Sequence, residues 1–193
     1  GAYLLMAARH SPSNSLMTKT LTLNFDGRKP AILGTVVYTS LASTDQLVLD
    51  AGAVTALRTG AASGVATDLL AHADAATCTV IGAGDQAGYQ VRGVHAVRPL
   101  SRLTIVDRVE ERAELLGVAL ARDLPQTEIV VSTEVAKAIS DVDIVCCATT
   151  SLVPLFEAAD LPAEVHVNAI GAYRPAMHEI PAELLADSRT YID

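Results

Sequence analysis

The chain has 193 residues, half of them hydrophobic (50%), only 4% aromatic, and a formal net charge of -8. This describes an alanine-rich globular chain of one or two domains that can bury a real core. Its 14 Lys and Arg residues are scattered rather than clustered, which argues against a nucleic-acid partner and leaves room for a small anionic ligand. No apolar run reaches the roughly 18 residues that a membrane span needs. Arg58 and Asp68 interrupt the most apolar helical stretch, and Asp107 and Arg108 end a strand, so a soluble chain without a membrane partner is expected.

No basic stretch followed by an apolar core opens the chain, so no export signal is expected. A start at Gly1 without methionine suggests processing, tagging or truncation. Up to about residue 51 the pattern reads as strands: Leu16 to Phe25 alternates, Ala31 to Thr39 is β-branched, and Gln46 to Asp50 is short and apolar. Turns at Asp26-Gly27 and at Ser43 to Asp45 separate them. Asp50 offers an N-cap for "AVTALRTGAASGVATDLLAHA", about five turns of small and apolar residues that predict a buried helix. Gly60 and Gly64, one turn apart on one face, predict a close backbone approach to a neighbour.

From Ala76 onward apolar strands alternate with helical patterns. The strands are Thr77 to Gly82, Leu103 to Asp107, Glu128 to Ser132, Asp143 to Ala148 and Val165 to Gly171; helices begin near Gln86, Val109, Thr133 and Phe156. Continuous hydrophobicity means strands covered on both faces, and with βα alternation it implies a parallel, doubly wound sheet. The expected fold class is therefore α/β, a Rossmann-type sheet (residues 73–193) preceded by part of a β-rich region with its connecting helix (residues 1–72).

The stretch "TVIGAGDQAGYQ" sits where the first of these strands meets the first helix. Gly82 permits a tight turn, Gly84 lets the backbone approach a pyrophosphate, and Ala87 is the small residue where helix and strand touch. The helix N-terminus adds N–H groups and a positive dipole end. Asp107 ends the next strand, about 20 residues past the loop, where a carboxylate accepts hydrogen bonds from a ribose diol. The expected cofactor is NAD, with NADP admitted because Arg108 stands beside Asp107. Asp85 would repel a pyrophosphate, so it is expected to cap the helix and point away.

Cys78, Cys146 and Cys147 form no CxxC pair and lie in or beside apolar runs, which reads as reduced thiols acting as small core hydrophobes in a cytoplasmic protein. His10, His72, His95, His166 and His178 lack any tight ligand spacing, so no metal is expected.

Three blocks, "TALRTGAASGVATDLLA", "VIGAGDQAGYQ" and "VNAIGAYRPAMHEIPAELL", resemble in order and spacing the ornithine cyclodeaminase and mu-crystallin family. The resemblance implies that Lys19 holds a substrate carboxylate and that Arg58 lies near the substrate and the nicotinamide. It implies nucleotide contacts at Thr35, Thr59, Asp85, Gln86 and Thr149, and at the Ile170, Gly171, Ala172 and Tyr173 corner. It also implies a homodimer, and an amino-acid-like carboxylate as the partner of the site. A guanidinium fork beside an ammonium suits such an anion. Composition alone would place Lys19 on an exposed strand face.

Two departures from the family stand out. Its cyclodeaminases carry an aspartate two residues after the glycine of the "AIG" corner, where this chain has Tyr173. A tyrosine, with an ordinary pKa of about 10, is a poor base at neutral pH but a serviceable donor. The chain also opens inside the family's substrate-binding and dimer-forming region and stops at Asp193, as part of a larger polypeptide would. The expected activity is NAD(P)-dependent hydride transfer to or from an amino acid or its imine. The alternatives are a cyclodeaminase with another base, and a nucleotide-dependent binding protein like mu-crystallin.

Overall fold

The computed structural model describes residues 2–24 and 31–192; the expected strand end at Phe25 and turn at Asp26-Gly27 lie outside them. The chain divides into two compact units, residues 1–58 and 59–193. The division falls within the long helix α1 (Ala51–Leu70).

The first unit is an antiparallel meander of β1 (Ala2–His10), β2 (Ser15–Leu23), β3 (Ile32–Ser40) and β4 (Gln46–Asp50), in the order β1-β2-β3-β4. Strand β1 is absent from the sequence expectation. Leu21, Leu23 and Val36 are buried with Ala51, and Ala2, Ile32 and Val54 pack against them. Lys19 pairs with Val36 in register and precedes Leu21 by two residues, so the period-2 alternation puts it on this apolar face. The expected exposed strand face for Lys19 is corrected by that parity. Asp50 caps α1 as expected, its Oδ1 accepting a 2.6 Å hydrogen bond from the Ala53 N–H.

The second unit carries a five-stranded sheet: β5 (Thr77–Ile81), β6 (Arg102–Val106), β7 (Glu128–Ser132), β8 (Ile144–Cys147) and β9 (His166–Ala169), all parallel in the order β7-β6-β5-β8-β9. Alternate residues feed two cores. Val80, Ile105, Ile144 and Cys146 face one core with Val91 and Val94 of α2 (Ala87–Val97) and Leu120 of α3 (Glu110–Leu120). Ile81, Val106, Val145 and Cys147 face the other with Ile139 of α4 (Val135–Ile139), Val142 and Phe156. Coverage on both faces is why these strands read as unbroken apolar runs.

Two expectations need correction. The helix expected from Phe156 is a 3-10 turn, Ala158–Asp160. Leu161 precedes Pro162 and is extended (φ -92, ψ 145), as the proline ring requires of the residue before it. Helix α1 is not buried all round, because Leu57, Val65 and Leu69 are exposed. Gly60 and Gly64 do meet a neighbour: a Cβ at Gly64 would stand 2.7 Å from the Gly93 carbonyl oxygen, and one at Gly60 would run into the Tyr89 carbonyl. A short helix, α5 (Ala182–Asp187), closes the described chain.

Cys78, Cys146 and Cys147 are free and buried. A hydrogen bond with Cys146, then burial, pushes the Cys78 thiol well up. Burial, then the charge of Glu179 and Cys146, does the same to Cys147. Among the described residues no helix is long and apolar enough to cross a membrane.

Candidate functional site

Strand order in the second unit reverses at β5, which pairs with β6 on one side and β8 on the other. The crevice beyond the carboxyl ends of such strands is where doubly wound sheets bind ligands. Gly82 leaves β5 with φ +96 and donates from its N–H to the Val106 carbonyl at 2.7 Å. A Cβ there would lie 2.6 Å from the Ala148 carbonyl oxygen, so the fold itself demands glycine. Gly84 is different. No heavy atom lies within 4 Å of where its Cβ would be, so the protein fills no space beside it and the backbone faces an open approach.

Helix α2 begins at Ala87, which is fully buried against the sheet. Its N-cap is Gln86, and no side chain caps it, so Asp85 does not take the capping role expected of it and stands exposed. The helix end keeps its positive dipole without a side-chain anion to satisfy it. The buried Oε1 of Gln86 lacks a hydrogen-bond partner. Asp107 follows β6, and its Oδ2 accepts a 2.8 Å hydrogen bond from the Ala83 N–H inside the glycine loop while Oδ1 accepts one of 2.9 Å from the Val109 N–H. Each carboxylate oxygen retains a second lone pair, so the acid holds the loop and can still accept ribose hydroxyls. Arg108 beside it is exposed. A glycine loop with an open backbone, an uncapped helix N-terminus, an orphaned amide oxygen and an acid at the next strand end together fit a dinucleotide.

The turns after β8 and β9 stand at the same edge. Thr149 lies next to the glycine loop, its Cγ2 being 2.9 Å from where a Gly82 Cβ would be. Ile170 donates from its N–H to the Cys147 carbonyl at 3.0 Å. Gly171 follows, and a Cβ on it would stand 2.6 Å from Glu179 Oε1. Ala172 and Tyr173 are exposed, and the Arg174 guanidinium lies 5.0 Å from the Tyr173 ring centroid.

In the first unit, Lys19 Nζ donates a 2.6 Å hydrogen bond to Thr55 Oγ1, and that hydroxyl donates to the Ala51 carbonyl at 2.5 Å. Burial, then the charge of Arg58, lowers the Lys19 pKa. Lys19 and Arg58 therefore share one electrostatic neighbourhood, with Thr55 aiming the ammonium. Thr35 does not join them: it pairs with Thr20 and Asp50, and the alternation puts it on the face opposite Lys19. Thr59 is half-buried on α1, next to Gly60.

A family model matches residues 6–193. The chain belongs to the ornithine cyclodeaminase/mu-crystallin family. Within that family it is 35% identical over 161 residues to the Delta(1)-pyrroline-2-carboxylate reductase of Bacillus cereus, which covers 83% of this chain and 49% of the relative. It is 38% identical over 169 residues to the L-lysine cyclodeaminase of Streptomyces rapamycinicus, covering 85% and 48%. The structure of Thermococcus litoralis Delta(1)-pyrroline-2-carboxylate reductase in complex with NADH and L-proline is similar with a TM-score of 0.82 at 26% identity, covering 94% of this chain and 62% of that one. The chain thus spans about half the length of the curated relatives it matches.

Two polar residues of these clusters carry no signal in the sequence expectation, Thr55 and Glu179. Thr55 sits one helical turn before Arg58, a spacing that puts it on nearly the same helix face. Glu179 stands just before "IPAELL", which carries a second acid in Glu183, so nothing local set it apart.

Proposed function

We propose that the protein is an NAD(P)-dependent oxidoreductase acting on the C–N bond of a small amino acid or its linear or cyclic imine, as a ketimine reductase or amino-acid dehydrogenase. The observation that carries this is Lys19 on the apolar sheet face, its Nζ held at 2.6 Å by Thr55 one helical turn before Arg58, in a chain that also holds a dinucleotide loop. Arg58 would grip the substrate's carboxylate with its planar fork, and Lys19, aimed by Thr55, would add a point charge.

Gly82, Gly84, Gln86, Ala87 and Asp107, with Thr149 and the Ile170–Ala172 corner, would hold the dinucleotide, NAD in preference to NADP. When bound, it supplies or accepts the hydride. The chain's own work is then to orient the substrate. Tyr173 brings a hydroxyl donor, not a carboxylate base, to the corner after β9. The relatives named as reductases and the NADH complex of one of them support this reading.

A cyclodeaminase is the second reading, favoured by the 38% identity to a lysine cyclodeaminase and opposed by Tyr173. A homodimer is part of the proposal, since the sheet face opposite Lys19 exposes Tyr3, Leu5, Leu33 and Val48, an apolar surface that suits a partner. The test is the loss of NADH absorbance on adding a cyclic ketimine carboxylate to the intact protein. Stoichiometric loss supports reduction, and an unchanged trace opposes it.

A further inference from the structure

Glu179 is 2% exposed, yet it carries a carboxylate. Its Oε1 accepts hydrogen bonds from the Thr149 N–H at 2.6 Å and the Thr149 hydroxyl at 2.9 Å, and its Oε2 accepts one from the Gly171 N–H at 2.6 Å. The backbone makes the same connection: the Leu155 N–H donates to the Glu179 carbonyl at 2.9 Å, and the His178 N–H donates to the Ser151 carbonyl at 3.1 Å. Burying a carboxylate costs several kcal/mol unless donors compensate it, and charge-assisted N–H donors are the strong kind. Bare Gly171 is what lets the carboxylate come so close.

The three donors come from the two turns that leave β8 and β9 at the carboxyl edge of the sheet. Resting on the dinucleotide reading above, we infer that Glu179 is a positioning residue for the cofactor. It locks the Thr149 turn to the Gly171 corner, so both are set before the dinucleotide arrives. Setting them in advance removes the ordering cost from binding. A second carboxylate shows what a clip without this role looks like: Asp143 Oδ2 accepts from the Ala76 N–H, the Thr77 N–H and the Thr77 hydroxyl at 2.8 to 2.9 Å, but at the amino edge of the sheet.

Glu179→Gln keeps the size of the side chain and replaces one acceptor oxygen with an NH2 group, which must then face a donor at Thr149 or Gly171. NADH titration of the intact protein is expected to show binding weaker by on the order of tenfold, the worth of one hydrogen bond to a charged group, with faster amide exchange at Thr149 and Gly171. Asp143→Asn is expected to lower Tm while leaving NADH affinity within about twofold, as for a distant, independent site. Equal NADH affinity in E179Q and the wild type overturns the inference. Should E179Q not fold, exchange in the wild type decides. Thr149 and Gly171 amides protected before NADH is added support the clamp, and exchange at open-loop rates until NADH is added overturns it. A wild-type protein that binds no NADH is a different failure, since it overturns the dinucleotide reading itself.

Discussion

Asp107 accepts a 2.8 Å hydrogen bond from the Ala83 N–H, so the acid expected to choose the cofactor also holds the loop expected to cradle its phosphates. Asp107 should favour NADH over NADPH, because a carboxylate accepts ribose hydroxyls and repels a 2′-phosphate. Replacing it with Ser should admit NADPH but weaken NADH as well, by on the order of tenfold, since the loop loses a charge-assisted bond. Titrating both cofactors against both proteins measures this. Wild-type binding of NADPH about tenfold tighter than NADH would contradict it.

Lys19 and Arg58 give a prediction with a pH signature. Arg58→Ala should lower kcat/KM by on the order of a hundredfold while leaving NADH affinity nearly unchanged, because only the substrate loses its partner. Activity that needs a charged Lys19 falls as pH rises through the lowered pKa of that residue, a lowering caused first by burial and then by Arg58. Removing Arg58 removes the second cause. The alkaline fall in kcat/KM should therefore move to higher pH in R58A, and a fall left in place would separate Lys19 from substrate binding.

How much of this was legible depended on the range of the contacts. Strands β5, β6 and β8 announced themselves because both faces are covered and their apolar runs are continuous, and β7 and β9 followed from the alternation with helices. Strand β1 did not: "AYLLMAARH" is exposed along nearly all its length, so no alternation marks a buried face. The parity of Lys19 with Leu21 and Leu23 was readable but outweighed by its threonine neighbours. Glu179 was not readable, since its partners lie 8 and 30 residues away and only the fold brings them together. The short 3-10 turn in place of a helix at Phe156 was set by Pro162, which local hydrophobicity does not record.

The contact between α1 and α2 can be tested by a pair of glycines. Gly60→Ala drives a methyl into the Tyr89 backbone and should cost about 1–3 kcal/mol, more than the helix propensity it gains. Gly117→Ala meets only Ile129 Cγ2 at 3.4 Å and Ile105 Cδ1 at 3.7 Å and should stabilise α3 by roughly 0.5–1 kcal/mol. Thermal or urea unfolding of the two variants should move in opposite directions. A G60A protein as stable as the wild type would remove the close packing.

Acid stability should carry the mark of Asp143. Burial raises its pKa, but hydrogen bonds from Ala76 and Thr77 and the charge of Arg102 outweigh that and leave it lowered. Its contribution is therefore present above its unfolded value of about 3.9 and lost as pH falls through the lower folded value. The carboxylate is exposed, so the effect should be modest. Asp143→Asn should flatten the stability curve below about pH 4; an acid limb unchanged from the wild type would show that the clip contributes nothing there.

The central claim, net hydride transfer to an imine, is tested most directly by following NADH and ammonia together. A cyclic ketimine carboxylate, and separately ornithine with catalytic NAD, would be given to the intact protein. A reductase consumes one NADH per imine, whereas a cyclodeaminase oxidises and re-reduces within one cycle and releases ammonia with no net change in absorbance. With Tyr173 in place of a carboxylate base, the account predicts stoichiometric NADH oxidation and no ammonia from ornithine. Ammonia released from ornithine without net NADH change would contradict it, and inertness in both assays would move the protein to a binding role.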